Sequence, residues 1–123
     1  MKRYNKNLGD FGECAAAEYL KSEGYEILAR NFRAAHGEID IVARDGGFLV
    51  FVEVKTRSSE KYGFPSEAVD YDKRKHMRLA AEEYYRANPT DLEIRFDVTE
   101  VSAAIGGGVP HLFSINHIKG ADI

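Results

Sequence analysis

The stretch that decides the fold is Gly37–Arg57, GEIDIVARDGGFLVFVEVKTR. It predicts a β-hairpin with a first arm at Gly37–Arg44, a turn at Asp45-Gly46-Gly47 and a second arm at Phe48–Arg57. Glycines supply the positive φ that tight hairpin turns require. The second arm begins with five consecutive apolar residues, so we expect both of its faces to be covered. Charged side chains appear only at the end of this buried run.

Two carboxylates and a lysine fall on one face of this hairpin. If Gly46-Gly47 is the two-residue turn, Asp40 lies opposite Glu53. If Asp45-Gly46 is the turn, Asp40 lies beside Glu53 along the same face. Either register places Lys55 on that face too, because side chains alternate along a strand. A three-residue loop or a bulge would break this arrangement.

The pair Asp40 and Glu53 predicts a cation at this face. Two carboxylates about 5 Å apart repel each other by roughly 3 kcal/mol at an effective dielectric constant near 20. Either Lys55 or a divalent metal would relieve that repulsion, and oxygen ligands alone favour Mg²⁺ or Mn²⁺ over zinc. Because the pattern is short and common, the usual interpretation is that Glu53 and Lys55 form a solvated strand end and that Asp40 is a surface residue. The apolar second arm and the shared face favour the site.

Composition restricts the class of protein. The 123 residues, 44% of them hydrophobic, suit one domain over residues 1–123 with a substantial core. The net charge of −3 excludes a general polyanion binder, so contact with nucleic acid requires a local basic patch or a metal. The sequence has no membrane-spanning apolar run and no apolar signal-peptide segment at its start. A single cysteine, Cys14, fits a reducing compartment, and we expect a cytoplasmic protein with no membrane partner.

Hydrophobic periodicity predicts the element order α-β-β-β-α-β-β, which gives an α/β fold with a mixed sheet flanked by helices. A helix over about Leu8–Glu23 follows a basic N-terminal arm that we expect to be mobile, and it ends at Gly24. The hairpin lies between the other elements. These are a strand at Tyr25–Phe32 near a sheet edge, a helical region from Ser66 to about Asn88 that either continues or breaks near Asp70–Asp72, a half-buried strand formed by the alternation from Leu92 to Thr99, and a last strand at Leu112–Ile118.

Two helical residues are candidates to join the hairpin site. Glu13 lies in the first turn of the predicted first helix, on the face of Ala17 and Leu20. Interaction with the helix dipole is the usual role of such a glutamate, and the alternative is a third acid facing the hairpin. Lys73 begins the apolar stripe of the later helix, where its side chain either extends to solvent or reaches a buried acid.

Several basic residues are candidates for phosphate contacts, although a solvated loop or helix face is the default for each. Loop Thr56–Pro65 follows the site directly and is of a kind that often holds substrate. The candidates are Arg30, Arg33 and His36 before the hairpin, Arg57 in this loop, and Arg74 and Arg78 on the later helix. His111 and His117 could form a metal pair, but one strand and no third ligand favour surface histidines.

Taken together, Glu13, GEID at Gly37–Asp40 and VFVEVK at Val50–Lys55 resemble the PD-(D/E)XK nuclease superfamily. The sequence more closely resembles the bacterial YraN-like family of predicted endonucleases, which are distantly similar to archaeal Holliday junction resolvases. This resemblance covers nearly the whole chain. Further stretches that match the family are GDFGE at 9–13, Gly24-Tyr25, Arg30-Asn31, Lys73 and RFDV at 95–98. Two departures are Ile39, where the superfamily often has proline, and a net charge more acidic than that of junction resolvases.

The resemblance implies a restriction-endonuclease-like or resolvase-like core and a set of site residues. Asp40 and Glu53, helped by the Val54 carbonyl, would hold Mg²⁺ or Mn²⁺. Lys55 would assist the chemistry, Glu13 would complete the acidic cluster, and Lys73 would be an accessory residue.

These implications predict a metal-dependent endonuclease that hydrolyses DNA phosphodiester bonds, with branched DNA as the expected partner. The alternative is a non-catalytic nucleic-acid- or protein-binding module that retains the nuclease fold. Metal-dependent cleavage discriminates between the two. A homodimer is expected only because junction-cutting relatives cut two strands symmetrically.

Overall fold

The computed structural model describes residues 2–58 and 71–121 and, within them, two helices and five strands. The elements are α1 Lys2–Ser22, β1 Glu26–Ala34, β2 Gly37–Asp45, β3 Phe48–Ser58, α2 Tyr71–Ala87, β4 Glu93–Gly106 and β5 Val109–Ile118. The predicted order α-β-β-β-α-β-β and the mixed sheet flanked by helices are therefore confirmed. The predicted cap Ser66 and residues 59–65 of the predicted loop lie outside the described residues. Neither described helix combines the length and the apolar character needed to cross a membrane.

The five strands form one sheet in the order β1-β2-β3-β4-β5. β3 and β4 are parallel, and every other neighbouring pair is antiparallel. β3 is the middle strand and is covered on both faces, which explains its uninterrupted apolar run. Its side chains alternate, so that Val50 and Val52 pack in the cluster under α1 while Leu49 and Phe51 pack in the cluster under α2.

The sheet forks at the end of the hairpin that is distant from its turn. The ladder of β2 and β3 begins at the Gly46-Gly47 turn and ends at the pair Ile41–Val52. Beyond that pair β2 continues along β1, and β3 continues along β4. The next position on the two diverging strands holds Asp40 and Glu53, so the fork is where the candidate site lies.

A local irregularity accompanies the fork. Asn31 of β1 has a φ of 53°, in the left-handed region that asparagine tolerates better than most residues. It lies across from Asp40, in a gap of the β1–β2 ladder. Ile39 and Val42 both pack in the cluster under α2, although a regular strand would point residues three positions apart to opposite faces. The alternation of β2 therefore holds from Ile41 to Ala43 but breaks at Asp40, whereas the alternation of β3 is regular.

Element boundaries differ from the sequence predictions at both ends of the chain. α1 begins at Lys2, so the residues predicted to form a mobile arm belong to the helix. β4 extends to Gly106 and β5 begins at Val109. Gly107 and Gly108 both have positive φ and form the two-residue turn that joins these strands.

The alternation predicted for β4 is present, but its polar side is buried as well as its apolar side, on which Val98 is 5% exposed. Ile94 is 44% exposed, whereas Asp97 and Thr99 are both 0% exposed. The prediction that the apolar side alone faces the core was wrong. Buried polar groups persist when their hydrogen-bonding capacity is satisfied, and here they satisfy one another.

Five side chains, which we call the Asp97 network, join β4 to β5 and to the start of β1: Tyr25, Arg95, Asp97, Thr99 and His117. The Asp97 carboxylate accepts hydrogen bonds from Tyr25 Oη at 2.9 Å and Arg95 Nε at 2.9 Å, and it lies 2.8 Å from His117 Nε2. His117 Nδ1 lies 2.7 Å from Thr99 Oγ1. The prediction that His117 is a surface histidine was wrong, because both of its ring nitrogens have buried partners.

Gly12 determines how closely α1 approaches β3. A Cβ atom at Gly12 would overlap the side chain of Thr56. We expect Gly12→Ala to lower the free energy of unfolding by about 1–3 kcal/mol, the usual effect of overpacking, as measured by urea denaturation. Gly9→Ala in the same helix is the control, because nothing lies within 4 Å of a Cβ there, and it should be neutral or stabilising by up to about 1 kcal/mol. Equal effects of the two substitutions would contradict this packing.

Candidate functional site

The fork brings the carboxyl groups of Asp40 and Glu53 together. The two residues are 8% and 3% exposed. Asp40 Oδ2 accepts a hydrogen bond from the Val54 amide at 2.8 Å.

Two lysines contact Glu53 from different elements. Lys55 Nζ lies 3.6 Å and Lys73 Nζ lies 3.3 Å from Glu53 Oε2. Lys55 comes from β3 itself, and Lys73 comes from the first turn of α2. The side chain of Lys73 therefore reaches a buried acid, which is one of the two alternatives that its helical position left open.

The second oxygen of Glu53 has no such contact. Glu53 Oε1 is buried and lacks a hydrogen-bond partner among the described residues. A buried carboxylate oxygen without a donor is energetically costly, and a bound cation is one of the groups that satisfies it. The donor set also suits Mg²⁺ or Mn²⁺, because Mg²⁺ is commonly held by one or two carboxylates together with waters and substrate phosphate oxygens.

Val54 adds a backbone oxygen to this donor set. Its amide points to Asp40, and in an extended strand the N–H and the C=O of one residue point toward the same neighbouring strand. The Val54 carbonyl therefore points into the fork as well. Strand geometry thus directs the Val54 oxygen, one of the predicted metal ligands, toward the two carboxylates.

Burial controls the ionisation of the site. Burial raises the pKa of Glu53 to about 7, with repulsion from Asp40 adding to the effect and Lys73 and Lys55 opposing it. Burial also raises the pKa of Asp40, although the Val54 amide opposes that change. Burial alone would lower the pKa of Lys73, but the Glu53 carboxylate outweighs it and raises that pKa. Burial thus favours the protonated form of both acids, and a cation would compete with those protons.

Glu13 lies at the margin of this site. Burial raises its pKa, and the next cause is the charge of Asp40, with Arg30 opposing. Because α1 begins at Lys2, Glu13 is far from the helix N-terminus. An interaction with the helix dipole therefore does not explain its position, since that effect is confined to the first turn. Within residues 2–58 and 71–121, no three His, Cys, Asp or Glu side chains are close enough to hold a metal. Glu13 is thus an electrostatic neighbour of the pair.

The predicted phosphate-binding residues lie on β1, β3 and α2 and in the β1–β2 turn. Arg30 is on β1, with its Nη2 atom 3.7 Å from Cys14 Sγ, and the charge of Arg30 acts on Glu13. Arg74 follows Lys73 in the first turn of α2, whereas Arg78 lies one turn further along. The remaining candidates are at the end of β1, in the β1–β2 turn and near the end of β3: Arg33, His36 and Arg57.

One buried acid near the site did not stand out in the sequence. Glu100 is 5% exposed and lies opposite Lys55 in the parallel ladder of β3 and β4. Its Oε1 atom accepts a hydrogen bond from Asn116 at 2.8 Å. Only the register of two strands far apart in the sequence brings Glu100 beside Lys55, so no local pattern could have revealed it.

We expect the stability of the metal-free protein to fall as the pH rises from about 5 to about 7. The pKa of Glu53 is about 7 in the folded state against 4.5 in the unfolded state, so the folded state binds this proton more tightly. The resulting stabilisation is complete below the unfolded pKa and is lost as the pH rises through the folded one. It amounts to about 3 kcal/mol.

Urea denaturation across this pH range checks the dependence. Glu53→Gln should flatten the profile because glutamine does not titrate, whereas the exposed control Glu18→Gln should retain the wild-type slope. A wild-type stability that rises or stays constant over this range would contradict the pKa of Glu53 given above.

Comparison with known proteins identifies the family. The model of "Uncharacterised protein family UPF0102" matches residues 12–101, a span that contains all five candidate catalytic residues. A UPF0102 protein of Caldicellulosiruptor saccharolyticus is 47% identical over 117 residues, which cover 94% of this chain and 97% of the relative. UPF0102 proteins of Clostridium botulinum and Solibacter usitatus are each 50% identical over 103 residues, covering 82% and 81% of this chain and 84% and 78% of the relatives. These matches confirm the YraN-like assignment made from the sequence, and the chain belongs to the uncharacterised family UPF0102.

Proposed function

We propose that this protein is a metal-dependent endonuclease that hydrolyses DNA phosphodiester bonds, with branched DNA as its preferred substrate. The observation that carries the proposal is the buried pair of Asp40 and Glu53, in which Glu53 Oε1 has no donor among the described residues. The resemblance of GEID and VFVEVK to the PD-(D/E)XK superfamily supports the same chemistry. The more distant similarity to Holliday junction resolvases is the reason for proposing branched DNA as the substrate.

Asp40, Glu53 and the Val54 carbonyl would hold Mg²⁺ or Mn²⁺. The bound metal would polarise the scissile phosphate and lower the pKa of an attacking water. The contribution of the chain itself is to hold the two carboxylates in position. The Val54 amide fixes Asp40, and Lys73 holds Glu53 by its Oε2 atom, which leaves the Oε1 atom for the cation.

Lys55 would act on the reacting phosphate. Its side chain is 15% exposed and projects from the same face of β3 as Glu53. From there the ammonium group would orient the attacking water or stabilise the negative charge that develops on the phosphate. Glu13, at the margin of the site, would add to the negative potential that attracts the metal.

The predicted phosphate-binding residues would supply affinity for DNA. Because the whole chain carries a net charge of −3, this affinity must come from a local patch, which Arg33, His36, Arg57 and Arg74 would supply. Phosphate contacts of this kind weaken as salt concentration rises, since binding releases counterions.

Calorimetric titration with Mn²⁺ tests the metal site. The wild type should show saturable binding, and Asp40→Asn should lose it because one of two carboxylate ligands is gone. The same substitution should leave the metal-free fold no less stable, since asparagine still accepts the Val54 amide and the like-charge repulsion is relieved. Equal Mn²⁺ affinity in variant and wild type would refute the ligand assignment. A large loss of metal-free stability would show that the charge of Asp40 is structural.

Cleavage assays test the reaction. A panel of branched, flapped, single-stranded and duplex DNA is incubated with Mg²⁺ or Mn²⁺, and we expect cleavage by the wild type and none by Asp40→Asn. Binding without cleavage across the panel would instead identify a non-catalytic nucleic-acid-binding module. The symmetric cutting of a junction further implies a homodimer, which a monomeric mass in solution would exclude.

A further inference from the structure

A cavity of about 390 Å³ lies between α2 and β4, within the size range of small-molecule pockets. Its apolar and aromatic surface comes from β3, α2 and β4, and its polar rim comes from α2. The apolar lining residues are Phe51, Ala81, Ile94 and Phe96, and the rim residues are Arg78, Glu82, Tyr85 and Arg86. The rings of Phe51 and Phe96 pack with their centroids 5.6 Å apart, which gives the cavity an aromatic wall.

This cavity adjoins the Asp40–Glu53 site. Phe51 precedes Glu53 by two residues on the same face of β3, which places their Cα atoms roughly 7 Å apart. α2 borders both places, because Lys73 contacts Glu53 and Arg78 lies on the rim of the cavity. A nucleic-acid strand whose phosphate lies at the site would therefore place a nearby nucleotide at the cavity.

The side chains of the cavity fit a base and its phosphate. Tyr85 and Ile94 are 41% and 44% exposed, so an aromatic ring and an apolar surface remain accessible. Arg86 lies 3.7 Å from Glu82 in an exposed ion pair, while Arg78 has no acidic partner among the residues that the structure describes. Aromatic side chains flanked by cations stack unpaired bases and contact the backbone beside them. An apolar peptide side chain would leave these arginines without a role.

We infer that this cavity binds an unpaired base of the DNA strand that occupies the Asp40–Glu53 site. The inference rests on the proposed function for the identity of the polymer, and it goes further by naming single-stranded segments as the substrate feature that is selected. A fully paired duplex keeps its bases stacked, and filling the cavity would require one base to leave the stack at an energetic cost.

Fluorescence anisotropy of the full chain in EDTA tests this binding without cleavage. The probes are a labelled oligothymidylate strand, the same strand paired with oligoadenylate, and an abasic strand with the same number of phosphates. We expect the wild type to bind oligothymidylate about 5- to 100-fold more tightly than the abasic strand, the range that base–aromatic stacking provides. Equal affinity for these two probes would overturn the inference.

Variants locate the effect. Tyr85→Ala should remove most of the preference for thymidylate over the abasic strand, and Tyr85→Phe should retain it because the ring remains. Arg78→Ala should weaken binding of both single strands. Lys21→Ala, which removes a cation from α1 on the opposite face of the sheet, should leave all affinities unchanged. Equal weakening of every probe by Tyr85→Ala, or no weakening by either cavity variant, would overturn the inference.

These binding experiments can fail or succeed independently of the cleavage assays that test the proposed function. A preference for bases that Tyr85→Ala removes, without cleavage of any DNA, would support the cavity and refute hydrolysis. Metal-dependent cleavage without such a preference would support hydrolysis and overturn the cavity inference.

Discussion

Lys55→Met should cleave DNA about 100- to 1,000-fold more slowly than the wild type, the usual loss when one preorganised donor is removed. The variant should still fold and should bind DNA within a few-fold of the wild type. The reason is that the ammonium group, 3.6 Å from Glu53 Oε2, would stabilise charge that develops only in the transition state. Its affinity for Mn²⁺ should be at least that of the wild type, because a positive neighbour of the metal is lost.

Single-turnover cleavage with Mn²⁺ measures this effect, alongside calorimetric Mn²⁺ binding. Lys75→Met is the matched control, because Lys75 is exposed on α2 and has no place in the proposed chemistry. A wild-type rate for Lys55→Met, on a substrate that the wild type cleaves, would show that Lys55 is not catalytic and that the mechanism is wrong as assigned.

Asp97→Asn should lower the free energy of unfolding by about 3–5 kcal/mol, the range for removing one partner of a buried ion pair. Asp97 is 0% exposed, and its partner Arg95 has a side chain that is 14% exposed. Burial alone would raise the pKa of Asp97, but hydrogen bonds from His117 and Arg95 outweigh burial and hold that pKa well below its ordinary value. Asparagine would leave the Arg95 charge without its fully buried counterion.

Urea denaturation at neutral pH measures this loss. Asp45→Asn is the matched control, since Asp45 lies 2.8 Å from the same arginine but has a side chain that is 25% exposed, and it should lose no more than about 1 kcal/mol. Because the pKa of Asp97 is lowered, its stabilisation is present above the unfolded value of 3.8 and is lost as the pH falls further. Equal losses in the two variants would mean that burial of Asp97 adds nothing to its ion pair.

The sequence predicted those parts of the site that depend on local geometry. The structure has the two-residue turn at Gly46-Gly47, the first of the two registers considered, which predicts Asp40 opposite Glu53, one position beyond the last pair Ile41–Val52. Lys55 lies two residues after Glu53 and therefore on the same face of β3. The position of Lys73 near the site is predicted by its place at the start of the apolar stripe of α2. The placements of Lys55 and Lys73 need only strand or helix periodicity and the knowledge that the second arm is buried, whereas the alternation of β2 breaks at Asp40.

The rest of the structure depends on contacts between distant segments. The parallel register that brings Glu100 beside Lys55 has no local signal, and neither does the left-handed backbone of Asn31 beside the fork. Hydrophobicity also predicts only one buried face for β4, whereas Asp97 and Thr99 on the other face are buried through hydrogen bonds to His117 and not by apolar character. His117 was misassigned for the same reason, since its buried partners lie on another strand.

The fork has a consequence for the order in which the chain folds. β2 and β3 are joined by two residues, so closing their ladder requires little loop entropy, whereas pairing β3 with β4 must close a loop that includes the whole of α2. Asp40 and Glu53 therefore come together in a contact of low sequence separation, while Lys73 and Glu100 join them only through long-range contacts. During synthesis the two acids emerge before either of these partners, so the complete charge balance of the site is a late product of folding.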